Sequence, residues 1–222
     1  MHFRIHNEGW VFIVISIILT IIIFPFFNIL GFLLLIITFC IFYFFRDPIR
    51  SIPKEDVIVS PADGQIVFIG ESNLPEECNI SGKYLKISIF LDVFNVHVNR
   101  LPTSGKIKKI KYVEGKFFRA NVDKSSKENE RNIIVIENDS NEIFVVCQIA
   151  GLIARRIVCD LKENQNVIKG DRFGIIKFGS RVDIYLPSNF KPLVAYNQIV
   201  VGGETILANP KNIKEISNSI KN

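Results

Sequence analysis

Of the three histidines in this 222-residue chain, His2 and His6 precede a long apolar run, so the sequence beyond that run holds one, His97. Imidazole is the side chain whose ordinary pKa lies closest to neutrality. Proton transfer near pH 7 in this region therefore rests on His97 or on a carboxylate shifted by its surroundings. The histidine sits in Leu91-Asp92-Val93-Phe94-Asn95-Val96-His97-Val98-Asn99-Arg100, where Phe94, Val96 and Val98 alternate with Asn95, His97 and Asn99. On a strand, that alternation puts His97 on the polar face beside two amides. Read alone, it is a solvated side chain.

Two further segments could carry chemistry. Ser60-Pro61-Ala62-Asp63-Gly64 is a turn signal between strands, and Asp63 before a glycine has a backbone reason to be there. Similar turns occur in lipoyl-like domains of membrane-anchored adaptors, which gives a non-catalytic alternative. Near the C-terminus, Gly179-Ser180 lies between the apolar runs Gly174-Ile175-Ile176-Lys177-Phe178 and Arg181-Val182-Asp183-Ile184-Tyr185-Leu186. A Gly-Ser pair is usually a tight turn. It is also the arrangement needed for self-cleavage, because a residue without Cβ permits strained backbone angles and unhindered attack by the next hydroxyl. No metal is expected: a zinc hydrolase would lack histidine ligands, and Cys78, Cys147 and Cys159 show no ligand spacing.

The elements that must position these residues fall into two parts. Residues 10–45 are 36 consecutive positions without Asp, Glu, Lys or Arg. As one straight helix they would span roughly 54 Å, nearly twice a ~30 Å hydrocarbon layer. The breakers Pro25, Asn28 and Gly31 divide the run, so a helical hairpin is expected, either transmembrane or re-entrant. A cleaved signal peptide is disfavoured, since Pro-Phe-Phe-Asn follows the first apolar stretch rather than small residues. Arg4, Arg46, Arg50 and Lys54 flank the ends of the run while its turn carries no charge, which by the positive-inside rule places the rest of the chain in the cytoplasm.

Without Arg4, Arg46, Arg50, Glu8 and Asp47, residues 51–222 carry 24 basic against 20 acidic side chains, too slight an excess to indicate nucleic-acid binding. The four cysteines form no C-x-x-C pair and read as reduced thiols of a cytosolic domain. Brief β-branched runs predict strands at 57–60, 65–69, 85–91, 106–113, 132–137, 142–149, 172–177, 181–186 and 198–201. The fold class is mostly β, a β-rich barrel or sandwich behind the N-terminal hairpin. Residues 115–131 interrupt it with a charged stretch whose Phe117-Phe118-Arg119 could touch lipid or cover a site.

Taken together, these segments resemble the phosphatidylserine decarboxylase family in its short proenzyme form. The resemblance runs through Arg46-Asp47-Pro48, Ser60-Pro61-Ala62-Asp63-Gly64, Val96-His97, Asn129-Glu130-Arg131-Asn132 and Phe178-Gly179-Ser180, and their order carries it more than any one motif. It implies two regions, 1–50 as membrane hairpin and flanks and 51–222 as the catalytic domain. It further implies that Ser180 attacks the Gly179 carbonyl, cutting the precursor into a β chain, 1–179, and an α chain, 180–222, that remain together. Ser180 would become a covalently bound pyruvoyl group, the only cofactor, which forms a Schiff base with phosphatidylserine, releases CO2 and yields phosphatidylethanolamine. His97 as base and Asp63 as its orienting acceptor are carried over from the same family. The implied partners are the substrate lipid and the bilayer of the cell inner membrane, with processing either within one chain or in a homodimer and no nucleic acid. Two departures stand out: relatives often carry a second histidine where this chain has Phe94, and a threonine where it has Arg181.

Overall fold

The computed structural model describes residues 4–115, 128–151, 156–177 and 179–210. Phe178 and most of the charged stretch, with Phe117, Phe118 and Arg119, lie outside them.

The apolar run folds into two helices, α1 (Trp10–Ile23) and α2 (Asn28–Phe44), parted at Pro25 and folded back on each other. The hydroxyl side chains Ser16, Thr20 and Thr38 point inward. Ser16 and Thr38 share a hydrogen bond of 2.6 Å, and the hydroxyls of Thr20 and Thr38 donate to the carbonyls of Ser16 and Leu34 at 2.8 Å. Gly31 lets the helices meet, since a Cβ there would fall 2.6 Å from Phe24 Cα. The large apolar side chains instead face outward, with Ile21, Phe26 and Ile29 all exposed. Helices of 14 and 17 residues are about 21 and 26 Å long. No helix among the described residues is long and apolar enough to cross a membrane.

The body is built from β1 (Ile58–Val59), β2 (Gly64–Asn73), β3 (Lys83–Leu91), β4 (Val98–Arg100), β5 (Gly105–Val113), β6 (Arg131–Glu137), β7 (Ile143–Ala150), β8 (Ile157–Cys159), β9 (Asn166–Val167), β10 (Arg172–Ile176), β11 (Ser180–Pro187), β12 (Phe190–Pro192), β13 (Ile199–Val200) and β14 (Ile206–Pro210). Eight of them form a curled antiparallel sheet in the order β13-β2-β3-β11-β7-β6-β5-β9, beside the small sheets β4-β10-β8 and β1-β14-β12. The expected runs at 65–69, 85–91, 106–113, 132–137, 142–149 and 181–186 are its long strands. Alternation explains its two faces: Ile87, Ile89, Val146, Val182 and Ile184 enter the main core, while Val145, Cys147, Ile149 and Tyr185 form a second cluster behind it. Register shifts in β2 and β5 mark bulges that bend the sheet.

The root of the helical pair is joined to this body. Residues 4–6 zip against 45–47, His6 N donating to Phe45 O at 2.9 Å and Asp47 N to Arg4 O at 2.7 Å. Phe44 and Phe45 pack on Val96, Val98 and Ile175. Asp47, fully enclosed, pairs with Arg100 and Arg172. The Arg46-Asp47-Pro48 segment therefore locks the hairpin to β4 and β10.

Candidate active site

Ser180 opens β11, the strand between β3 and β7, where it is paired with Leu91 on one side and Ala150 on the other. It is 0% exposed and its Oγ has no hydrogen-bond partner among the described residues. An unpaired buried hydroxyl costs about 1–3 kcal/mol, so such an orphan at a chain junction calls for a reason. Gly179 before it has φ +63°, the left-handed region that favours glycine. Among the described residues other than its chain neighbours, a Cβ there would meet only Val93 Cγ2, at 4.0 Å.

His97 meets this junction. Its Nε2 accepts the Gly179 N–H at 3.3 Å, while Nδ1 lies 2.9 Å from the Asn95 carbonyl. The two contacts fix the neutral tautomer with the proton on Nδ1 and a lone pair on Nε2. The ring is 0% exposed, which corrects the solvated histidine expected from alternation. The chain does not run straight as a strand through residues 92–97. Asn95 Oδ1 accepts from Asp92 N, Asp92 Oδ1 accepts from Phe94 N, and the resulting turn leaves Phe94 72% exposed while Phe44 covers the imidazole, ring centroids 4.3 Å apart. Burial pushes His97 down to about 4; the Asn95 carbonyl and Asp92 oppose this and Arg46 adds to it. The ring is thus a neutral base at pH 7.

Among the described residues Asp63 makes no hydrogen bond to His97. Its Oδ2 takes Arg50 at 2.7 Å and its Oδ1 accepts from Gly202 N at 2.8 Å. The Asp-Gly turn faces the 202 segment, where burial raises the carboxyl's pKa and Arg50 opposes the rise. The acceptor facing His97 Nδ1 in the structure is the Asn95 carbonyl, while Asp63, the orienting acceptor expected from the resemblance, is engaged by Arg50 and Gly202.

Other contributors are Asn129 and Asn132, from the Asn129-Glu130-Arg131-Asn132 segment, and residues outside any motif. Asn129 Nδ2 donates to the carbonyl of Ala150, the residue paired with Ser180, at 2.7 Å. Asn132, Gln148 and Asn99 form a buried amide chain at 2.9 and 2.8 Å that ties β4 to the large sheet. Lys177 Nζ reaches Glu8 at 2.8 Å, joining the approach to Gly179 to the hairpin root. Phe44 and Glu8 belong to the region that sequence alone assigns to anchoring.

A buried serine after a left-handed glycine, with a neutral imidazole on the glycine's amide, fits a self-cleaving junction. The family model described as phosphatidylserine decarboxylase matches residues 37–208, from the second half of α2 to β14. The chain belongs to the phosphatidylserine decarboxylase family. Proteins named phosphatidylserine decarboxylase proenzyme are similar along most of their length. That of Ehrlichia chaffeensis is 52% identical over 92% of this chain and 91% of its own. The Pelagibacter ubique protein is 46% identical over 92% and 96%, and that of Wolbachia pipientis wMel 50% over 96% and 94%. Membership in the decarboxylase family sets aside the lipoyl-like adaptor reading. It also places Phe44, Arg46, His97 and Ser180 within the matched span, with Glu8 outside it.

Proposed function

We propose that this chain is a phosphatidylserine decarboxylase that first cuts itself between Gly179 and Ser180. The observation that carries the reading is the contact of His97 Nε2 with the Gly179 amide beside the orphaned Ser180 hydroxyl. Serine at its free pKa is a weak nucleophile and needs an adjacent base. Nε2, once it releases the Gly179 N–H, takes the Oγ proton as Oγ attacks the Gly179 carbonyl carbon; the Gly179–Ser180 C–N bond breaks, the nitrogen receives that proton from Nε2, and an ester on Oγ results. Loss of the Ser180 α-proton then expels the Gly179 carboxylate and leaves dehydroalanine. Water adds, ammonia leaves, and position 180 carries a ketone at the head of a 43-residue chain.

That pyruvoyl group supplies an electrophilic carbonyl able to draw off the electron pair left as CO2 departs. His97 would return a proton to the substrate α-carbon from Nε2 after first taking one up there, since its neutral form holds a lone pair at that atom. The products of cleavage are held together by β11, which pairs with β3 from Ser180 to Pro187 and with β7 from Ser180 to Tyr185. Cutting ahead of its first residue leaves those ladders intact from Arg181 onward.

The helical pair is proposed to lie shallowly in the cell inner membrane with the body in the cytoplasm. Its inside-out pattern, hydroxyls within and large apolar side chains without, supports this, because lipid tolerates apolar exteriors and penalises unpaired polar groups. Working at the bilayer spares the enzyme about 0.8 kcal/mol for every CH2 group of acyl chain otherwise lifted into water.

The test is conversion of phosphatidylserine in mixed vesicles by the full chain. Phosphatidylethanolamine and CO2 are expected in equal amounts, and neither from Ser180→Ala. Conversion by Ser180→Ala at the normal rate would overturn the assignment.

A further inference from the structure

The N-terminal helical pair touches both partners of the reacting junction. On the side of the base, Phe44 stacks on His97 at 4.3 Å and 35°, and Arg46 donates to the carbonyls of Tyr43 and Phe94 at 2.6 Å, pinning the turn that precedes His97 to the end of α2. On the side of the scissile bond, Glu8 accepts from Lys177 Nζ at 2.8 Å, two positions before Gly179, and the same ammonium lies 5.1 Å from the Phe12 ring. Lys177 is held from behind as well, its N–H donating to Arg156 O at 3.2 Å. Glu8 and Phe44 are themselves registered by the zip between residues 4–6 and 45–47. Gly9 lies so close to Phe45 that a Cβ would sit 2.6 Å from its Cβ.

We infer that the root of the helical pair is a positioning element of the self-cleavage site: Phe44 sets the orientation and dryness of the His97 ring, and Glu8, through Lys177, holds the segment that presents Gly179. This rests on the self-cleavage reading above and adds to it that the hairpin acts on the reaction and is more than a tether. Neither residue touches a reacting atom of the Gly179–Ser180 bond; each acts through a neighbour. The charged groups facing His97 are Arg46 from the end of α2 and Asp92 from its own turn, while on the Gly179 side Lys177 is paired with Glu8. Replacing Phe44 by a small side chain admits water to the imidazole, favours its protonated form and withdraws the base at a higher pH.

The experiment follows conversion of full-length precursor to two chains, made by cell-free synthesis with phosphatidylglycerol–phosphatidylcholine vesicles and then shifted to a series of pH values. Phe44→Ala is expected to move the acid limb of the cleavage rate up by about one pH unit, and Phe44→Leu, which keeps part of the apolar cover, to move it by less in the same direction. A purely packing role lowers the rate at every pH and moves neither limb. Glu8→Lys should slow cleavage about tenfold or more, and Glu8→Lys combined with Lys177→Glu should recover most of the loss. The inference is overturned if neither Phe44 variant moves the limb, if Glu8→Lys cleaves at the normal rate, or if the charge swap fails to recover it. A wild-type chain that never cleaves would instead remove the self-cleavage reading itself.

Discussion

The imidazole of His97 bridges two backbone groups, receiving the Gly179 N–H on Nε2 at 3.3 Å and facing the Asn95 carbonyl with Nδ1 at 2.9 Å. A carbonyl two residues earlier thus does what a buried carboxylate does in a serine–histidine–aspartate triad: it holds the tautomer. The difference is electrostatic, since a carbonyl orients the ring without stabilising imidazolium as a full charge would. Removal of the base by His97→Ala is expected to slow self-cleavage by about 10²–10⁴-fold, measured as precursor remaining over time. Cleavage at the normal rate would show that another group takes the Ser180 proton.

The depressed pKa of His97 has a consequence for stability. The folded chain keeps the ring neutral down to about 4, whereas the unfolded chain protonates it near 6.5. Between those values the unfolded state binds more protons, so stability is fully present above about pH 6.5 and is lost as pH falls toward 4. Uncleavable Ser180→Ala protein should show this in urea titrations over that range, and His97→Phe in the same background should lose part of the dependence.

Gly179 is expected to obey conformation rather than size. An L-residue at φ +63° is strained by roughly 1–2 kcal/mol, asparagine least, while the nearest described atom to a Cβ outside its chain neighbours is 4.0 Å away. Cleavage rates should therefore fall in the order Gly, Asn, Ala, Val. A valine variant cutting as fast as alanine would point to a constraint other than β-branched strain.

Asp63 belongs to a different circuit. Losing its carboxylate leaves Arg50 unpaired in a largely buried position and frees the Gly202 amide. Asp63→Ala is expected to cost about 1–3 kcal/mol in chemical denaturation. Asp63→Asn should leave the acid limb of the cleavage profile in place, because the side chain makes no hydrogen bond to His97. A displaced limb would restore Asp63 to the histidine's circuit.

Much of this was legible in the sequence for a physical reason. β3, β6, β7 and β11 are long, rich in β-branched residues and central in one sheet with both faces covered, so they show in the residue order as apolar runs. Gly179, Ser180 and His97 were legible because they are scarce or chemically distinct. The pairs β8, β9 and β12 with their neighbours were not, since two or three residues carry no period. The alternation about His97 misled: Val96, His97, Val98 and Asn99 are all buried, because the hairpin root covers one side and the amide chain of Asn99, Gln148 and Asn132 fills the other. Asn95 acts through its carbonyl, which no side-chain pattern reports. Glu8 reaches Lys177 across 169 positions, a contact that only the folded root creates.

The most direct measurement is the mass of the purified chain under denaturing conditions. Self-cleavage at Gly179–Ser180 predicts two chains, residues 1–179 and a 43-residue piece from 180 to 222 whose N-terminus is a ketone refractory to Edman degradation, with Ser180→Ala remaining as one chain. A folded wild-type chain that stays intact, or one cut elsewhere with a free amine at the new N-terminus, would contradict it.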